Sequence, residues 1–154
     1  MALLEFLSPE AVAPSLKVNS KKQLLHDLSA HAGRLTGLDE RAVFESLLQR
    51  ERLGSTGIGE GIAIPHGKPA RLGRLFGLMA RLEKPVDFEA IDRQPVDLVF
   101  ALFAPEAAGA EHLKALARVS RTLRSETVCA NLRSTFDPSA LYAILTESRS
   151  EKAA

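Results

Sequence analysis

Cysteine is almost missing from this chain: Cys129 stands alone among 154 residues. A single cysteine cannot close an internal disulfide, which fits a reducing compartment and leaves burial of a hydrophobic core to hold the fold. An excess of one charge is missing too. Lys and Arg number 20 against 19 Asp and Glu, a net charge of +1. Nucleic acid or an acidic membrane as main partner calls for a basic surface, so neither is expected. Long apolar runs are also absent. The longest, Leu98 to Ala104, is far too short to span a bilayer, so no membrane insertion is expected. The opening MALLEFLSPE lacks the basic stretch and extended apolar run of a secretion signal. No internal repeat or low-complexity linker interrupts the chain. These absences predict a cytoplasmic protein with one domain over residues 1–150 and a frayed tail at 151–154.

What is present alternates between helix and strand. Ser20 is placed to cap a helix through about Arg34, with Leu24, Leu28 and Leu35 returning to one face. Asp39 is placed to cap a second, whose stripe is Val43, Phe44, Leu47 and Leu48. Runs at Leu75–Leu82 and Leu98–Ala104 read as strands, and the unalternating LVFALFA of the second suits a central strand covered on both faces. Glu111 to Arg124 predicts a helix with Leu113, Leu116, Ala117, Ser120 and Leu123 on one side. A short helix around Val128 and Leu132 follows, and Asp137-Pro138 starts a last one. The pattern is α/β in a single domain.

Half of the ten glycines fall in one segment, Gly54 to Lys68, which reads GSTGIGEGIAIPHGK. Such crowding permits positive φ angles and lets backbone N–H groups approach an anion. A dinucleotide fingerprint would need glycine at Ile62 and a helix directly after it, but Pro65 prevents a helix from opening there. A Walker loop would need Ser or Thr after Gly67-Lys68, where Pro69 stands. What remains is a short apolar strand, Ile62 to Ile64, ending in Pro65-His66-Gly67. The proline and glycine would hold His66 at a strand end with its ring free. Histidine can serve as a covalent nucleophile, and phosphoryl transfer depends mainly on positioning and charge stabilisation. An exposed turn histidine is the other reading, and the residues alone do not choose.

The remaining candidates are weaker. His26 and His31 stand roughly 140 degrees apart on a helix and cannot converge on one metal. His31 shares the face of Leu24 and Leu28, whereas His26 faces solvent. No zinc spacing is present, so no metal is expected. Cys129 reads as a small buried hydrophobe rather than a nucleophile.

The run Arg50-Glu51-Arg52-Leu53-Gly54 followed by STGIGEGIAIPHGKP resembles the active-site signature of the mannitol/fructose-type IIA proteins of the bacterial phosphoenolpyruvate-dependent phosphotransferase system. The nitrogen-regulatory branch is most similar. The likeness continues through Asp87 to Leu98, Phe100-Ala101-Leu102 and the helix near His112, and so spans nearly the whole chain. It implies a mixed β-sheet flanked by helices on both sides, with the site at the sheet's edge. It implies His66 as the phosphoryl acceptor (a tele-phosphohistidine), charged by an HPr-like phosphocarrier protein. Arg50 and His112 then match the family's phosphate-stabilising arginine and second histidine. No cofactor, metal or nucleotide is implied, because the donor is already an activated phosphoramidate. Glu60 stands where the family more usually has asparagine, and its charge near an anionic group is unfavourable.

By periodicity, His112 lies about fifty degrees from the apolar stripe of its helix, in a first turn that favours anions. Arg50 and Arg52 both flank their stripe, and only the register of the motif favours Arg50. Thr56 is a candidate to support the site, Ser55 to cap the turn. Ile58 and Ile62, if exposed, would be candidates for the carrier's docking surface. The leading functional expectation is a regulatory phosphoryl carrier whose charge state acts on targets such as a sensor kinase or ion transporter. A sugar-specific IIA subunit passing phosphate to a IIB protein is the alternative, and a scaffold without chemistry is the third class. The intact histidines and Arg50 count against the third. Whether the chain forms a homodimer is left open.

Overall fold

The computed structural model describes residues 1–153, with side chains through Glu147, so the tail expected to fray at 151–154 falls outside the residues whose side chains are described. After two short 3-10 turns come β1 (Val12–Leu16), α1 (Lys21–Thr36), α2 (Glu40–Arg52), β2 (Gly57–Gly59), β3 (Ile62–Ala63) and β4 (His66–Gly67). Then follow β5 (Phe76–Val86), β6 (Val96–Phe103), α3 (Ala110–Leu123), α4 (Glu126–Arg133) and α5 (Pro138–Ala153).

The helix starts are those the caps predict. Ser20 accepts a hydrogen bond from the Gln23 amide, Asp39 from Ala42, and Ser125 from Val128. Such caps satisfy amides that have no partner within the helix. The buried faces depart from periodicity in two places. In α1 the covered residues are Leu24, Leu25, Leu28, Ser29 and Ala32. Leu35 continues that face by angle but lies in the last turn, beyond what covers the helix, and is 41% exposed. In α3 the inward residues are His112, Ala115, Arg118, Val119, Thr122 and Leu123, which leaves Leu113 66% exposed. Of the expected α3 stripe only Leu123 is buried. The helix carries one broad apolar arc, and the arc turned inward is rotated towards its Ala115 and Val119 side, so that Arg118 and Thr122 are drawn in.

The six-stranded sheet is mixed, in the order β1-β5-β6-β3-β2, with β4 also on β6, and five α-helices flank it. Every residue of β6 from Leu98 to Phe103 is buried, as its unalternating sequence predicts. β3 and β4 lie along the same side of β6 in one unbroken register, Ile62 opposite Leu98, Ala63 opposite Val99, His66 opposite Leu102 and Gly67 opposite Phe103. They are two halves of one strand interrupted at Ile64-Pro65. β2 covers the outer edge of β3. No described strand covers the outer edge of β4, where α2 takes its place. The contact is backbone on backbone. A Cβ on Gly67 would stand 2.6 Å from Ser46 Oγ and 3.0 Å from the Ser46 carbonyl carbon, so only glycine fits. His66 therefore sits half-buried at a sheet edge that a helix covers.

Candidate functional site

The last turn of α2, the β4 stub and the first turn of α3 converge on His66. Nδ1 of His66 lies 2.9 Å from the Ile64 carbonyl oxygen. A carbonyl only accepts, so Nδ1 carries the proton. Arg50 donates from Nε to Nε2 of His66 at 3.1 Å. An atom that accepts has its lone pair free, so both contacts specify the same neutral tautomer. A second Arg50 nitrogen, Nη1, donates to the Gly54 carbonyl at 2.9 Å and fixes the guanidinium across the ring. Arg52 is exposed and makes no hydrogen bond to His66. The structure thus separates the two arginines that periodicity could not.

His112, in the first turn of α3, is 8% exposed, and its ring lies 5.7 Å from that of His66, centroid to centroid, tilted by 50°. Its buried Nδ1 has no hydrogen-bond partner within the protein. Lys68 Nζ donates to the Ala108 carbonyl at 2.9 Å, tying the strand end after His66 to the loop that opens α3. Arg50, Lys68 and the N-terminal end of a 14-residue helix make this corner favourable for an anion.

Burial holds His66 below the ordinary histidine value; Arg50 acts the same way, while the Ile64 carbonyl and Glu51 oppose it. Burial, then the neighbouring His66 and Lys68, push His112 down to about 4. Both rings are neutral at pH 7. For a histidine whose folded value is depressed, the unfolded chain binds more protons below pH ~6.5, so stability falls as pH drops towards the folded value. The chain should therefore lose stability between pH ~6.5 and ~4, by on the order of 3 kcal/mol from His112. Urea midpoints at pH 7 and pH 5 check this: the drop should be smaller in His112→Asn, and an equal drop would contradict it.

Much of the glycine segment turns its amides inward. Four are committed within the protein: Thr56 to Glu51, Gly57 to Ser55, Glu60 to Asp92 and Ile64 to the Thr56 carbonyl. Ser55 caps the turn as expected, and its hydroxyl also donates to the Phe88 carbonyl at 2.9 Å. Thr56 is buried and bonds Glu51 rather than the His66 ring. Glu60 adopts a left-handed backbone, φ 59°, a conformation asparagine enters readily, which gives a backbone reason for asparagine at this position. Ile58 is exposed beside the segment, but Ile62 is buried and is no docking residue. His26 is exposed and stacks on Phe44 at 3.9 Å, a contact periodicity did not reveal, while His31 is half-buried and bonded to Arg34. Cys129 is buried, its thiol pushed up by burial and directed at the Leu123 carbonyl.

Sequence reasoning missed Glu51 as a site residue. It continues the stripe of Val43 and Leu47 at helical spacing, and a carboxylate on a buried stripe is itself a signal. Among the described residues no group of three His, Cys, Asp or Glu side chains could hold a metal ion, and no helix is long and apolar enough to cross a membrane.

Comparison with known proteins identifies the family and the fold. The model of the family described as "Phosphoenolpyruvate-dependent sugar phosphotransferase system, EIIA 2" matches residues 5–148. A nitrogen regulatory protein of Bradyrhizobium diazoefficiens is 58% identical over 145 residues, covering 94% of this chain and 95% of that protein. The crystal structure of nitrogen regulatory protein IIA-Ntr from Neisseria meningitidis superposes with a TM-score of 0.87 at 37% identity, covering 92% of this chain and 97% of that one. The mannitol IIA of Escherichia coli shares the fold, with a TM-score of 0.77 at 21% identity over 90% of this chain and 97% of that one. With its edge histidine, its arginine and its sheet all in the arrangement described, the chain belongs to the phosphotransferase-system EIIA 2 family, whose members carry phosphoryl groups, and its relatives include nitrogen regulatory proteins.

Proposed function

We propose that this protein is a regulatory phosphoryl carrier that accepts phosphate on Nε2 of His66 from the phosphohistidine of an HPr-like protein. Its charge state then governs targets such as a sensor kinase or an ion transporter. The observation that carries the reading is the proton on Nδ1 together with an Nε2 lone pair held by Arg50. In the transfer, Nε2 attacks phosphorus in line as the bond to the donor's ring, protonated on its other nitrogen, breaks, and that ring takes back the electron pair and leaves as neutral imidazole. Nδ1 keeps its proton on the Ile64 carbonyl throughout, so no proton transfer has to accompany the step. Arg50 moves its Nε–H from the lone pair to a phosphoryl oxygen, where its planar fork binds two oxygens. His112 and the first turn of α3 stabilise the remaining charge. Such a relay works in the cytoplasm, where its upstream carrier is found.

The regulatory half of the reading rests on the nitrogen regulatory proteins among its relatives. Incubation with phosphoenolpyruvate and the upstream relay proteins tests both halves. Acid-labile phosphate should appear on the peptide containing His66 and stay there when a sugar-specific IIB protein is added. Phosphate at another residue overturns the carrier site. Efficient passage to the IIB protein overturns the regulatory role in favour of a sugar-specific subunit.

A further inference from the structure

Glu51 is 8% exposed and its carboxylate is surrounded by donors. Lys21, the first residue of α1, reaches it from Nζ at 3.0 Å. The Thr56 amide donates to the same oxygen at 3.1 Å, and the Thr56 hydroxyl donates to the other. Lys21 is itself held, 3.3 Å from Glu89 and 4.5 Å above the Phe88 ring. A buried ion pair with further hydrogen bonds is costly to build and costly to break on one side, so it fixes geometry strongly.

Thr56 carries the connection onward through the peptide groups on its two sides. While its amide bonds Glu51, its carbonyl accepts from the Ile64 amide at 3.0 Å. The Ile64 carbonyl in turn accepts the Nδ1 proton of His66 at 2.9 Å. One chain of hydrogen bonds therefore runs from the Lys21–Glu51 pair, through residues Thr56 and Ile64, to the reactive imidazole. The amide and the carbonyl of one residue belong to different peptide groups, so the chain acts by holding the backbone in place rather than by passing polarisation along it. Held at both bonds, the Ile64 carbonyl stays aimed at Nδ1, and the Glu51 charge favours a proton on the ring.

Resting on the reading of His66 as the acceptor, we propose that Lys21, Glu51 and Thr56 form a positioning relay that locks the proton on Nδ1 of His66 and so keeps Nε2 nucleophilic. The relay sets the tautomer by fixing where the Ile64 carbonyl points, and none of its side chains meets the phosphoryl group. It acts in a site where the charged and titratable groups facing His66 are Arg50 and Glu51 from α2 and His112 from α3, with Lys68 beside His112. Arg50 opposes protonation of the ring and Glu51 favours it.

Glu51→Gln tests the relay, because it keeps the shape of the side chain and removes its charge. The nitrogen-15 shifts of the His66 ring, followed against pH, report the tautomer and the titration whether or not the chain is phosphorylated. In the native protein one tautomer, with the proton on Nδ1, should dominate. In Glu51→Gln the other tautomer should become visible and the His66 titration should move to lower pH. The rate of phosphate uptake above the titration should fall about fivefold to tenfold, the scale of one ordinary hydrogen bond. Thr56→Val, which removes only the hydroxyl, should give the same ring changes at smaller size and covers the case in which Glu51→Gln does not fold. Unchanged ring shifts and titration in a folded variant overturn the relay, even where stability has fallen. Altered ring shifts in a chain that takes up no phosphate would uphold the relay and refute the carrier reading instead.

Discussion

A His66→Ala chain should take up no phosphate from phosphoenolpyruvate and the upstream relay, while its fold survives. The loss is complete because no other side chain duplicates what His66 offers. His112 sits 5.7 Å away, but its Nδ1 is buried without a partner and burial strongly disfavours its charging. It presents no ring held in one tautomer by a carbonyl on one side and an arginine on the other. The fold survives because the ring is half-exposed and contributes only the Ile64 and Arg50 contacts, together about 1–2 kcal/mol. Labelling followed by circular dichroism separates the outcomes. A folded variant that still labels would show that the acceptor lies elsewhere.

Arg50→Ala should label slowly, about a hundredfold to a thousandfold below the native rate, the usual cost of removing one preorganised donor from a developing charge. Arg50→Lys should recover only a small part of this. A lysine cannot span the His66 ring and the Gly54 carbonyl at once, as the guanidinium does with Nε and Nη1. The pH profile carries a second signature. Arg50 holds the His66 titration down, so its removal should move the acid limb of the rate to higher pH. Rapid-quench labelling between pH 5 and pH 8 reads both effects. A rate near native in Arg50→Ala would remove Arg50 from the reaction and leave it a tether for Gly54.

How much of this the sequence discloses depends on how local each cause is. Ser20 and Asp39 cap helices through their own third amide onward, so a reader of the sequence finds them. The buried run of β6 is equally plain. β1 goes unnoticed because Pro14 sits inside it, and proline is tolerated there since β1 ends the sheet, an edge where a missing donor is harmless. The facing of α3 is misread because the arc that packs is rotated from its apolar arc, which leaves Leu113 outside and draws Arg118 in. At the site, the motif brings Arg50, His66 and His112 into view, but their convergence requires the sheet. Which arginine reaches His66 depends on the angle at which α2 ends over β4, and no periodicity encodes that. Glu51 is visible only as an oddity, a charge on a buried stripe, until its partner Lys21 arrives from another helix.

Gly67 carries one more consequence. It packs so closely on Ser46 that a Cβ has no room, so the strand bearing His66 has no slack behind it. The imidazole is a fixed post rather than an arm. It cannot lean out towards a distant phosphorus or draw back from a near one, and its reach is set when the chain folds. On the carrier reading, any protein that exchanges phosphate with it must close the whole gap from its own side, so all such partners have to seat at one common depth.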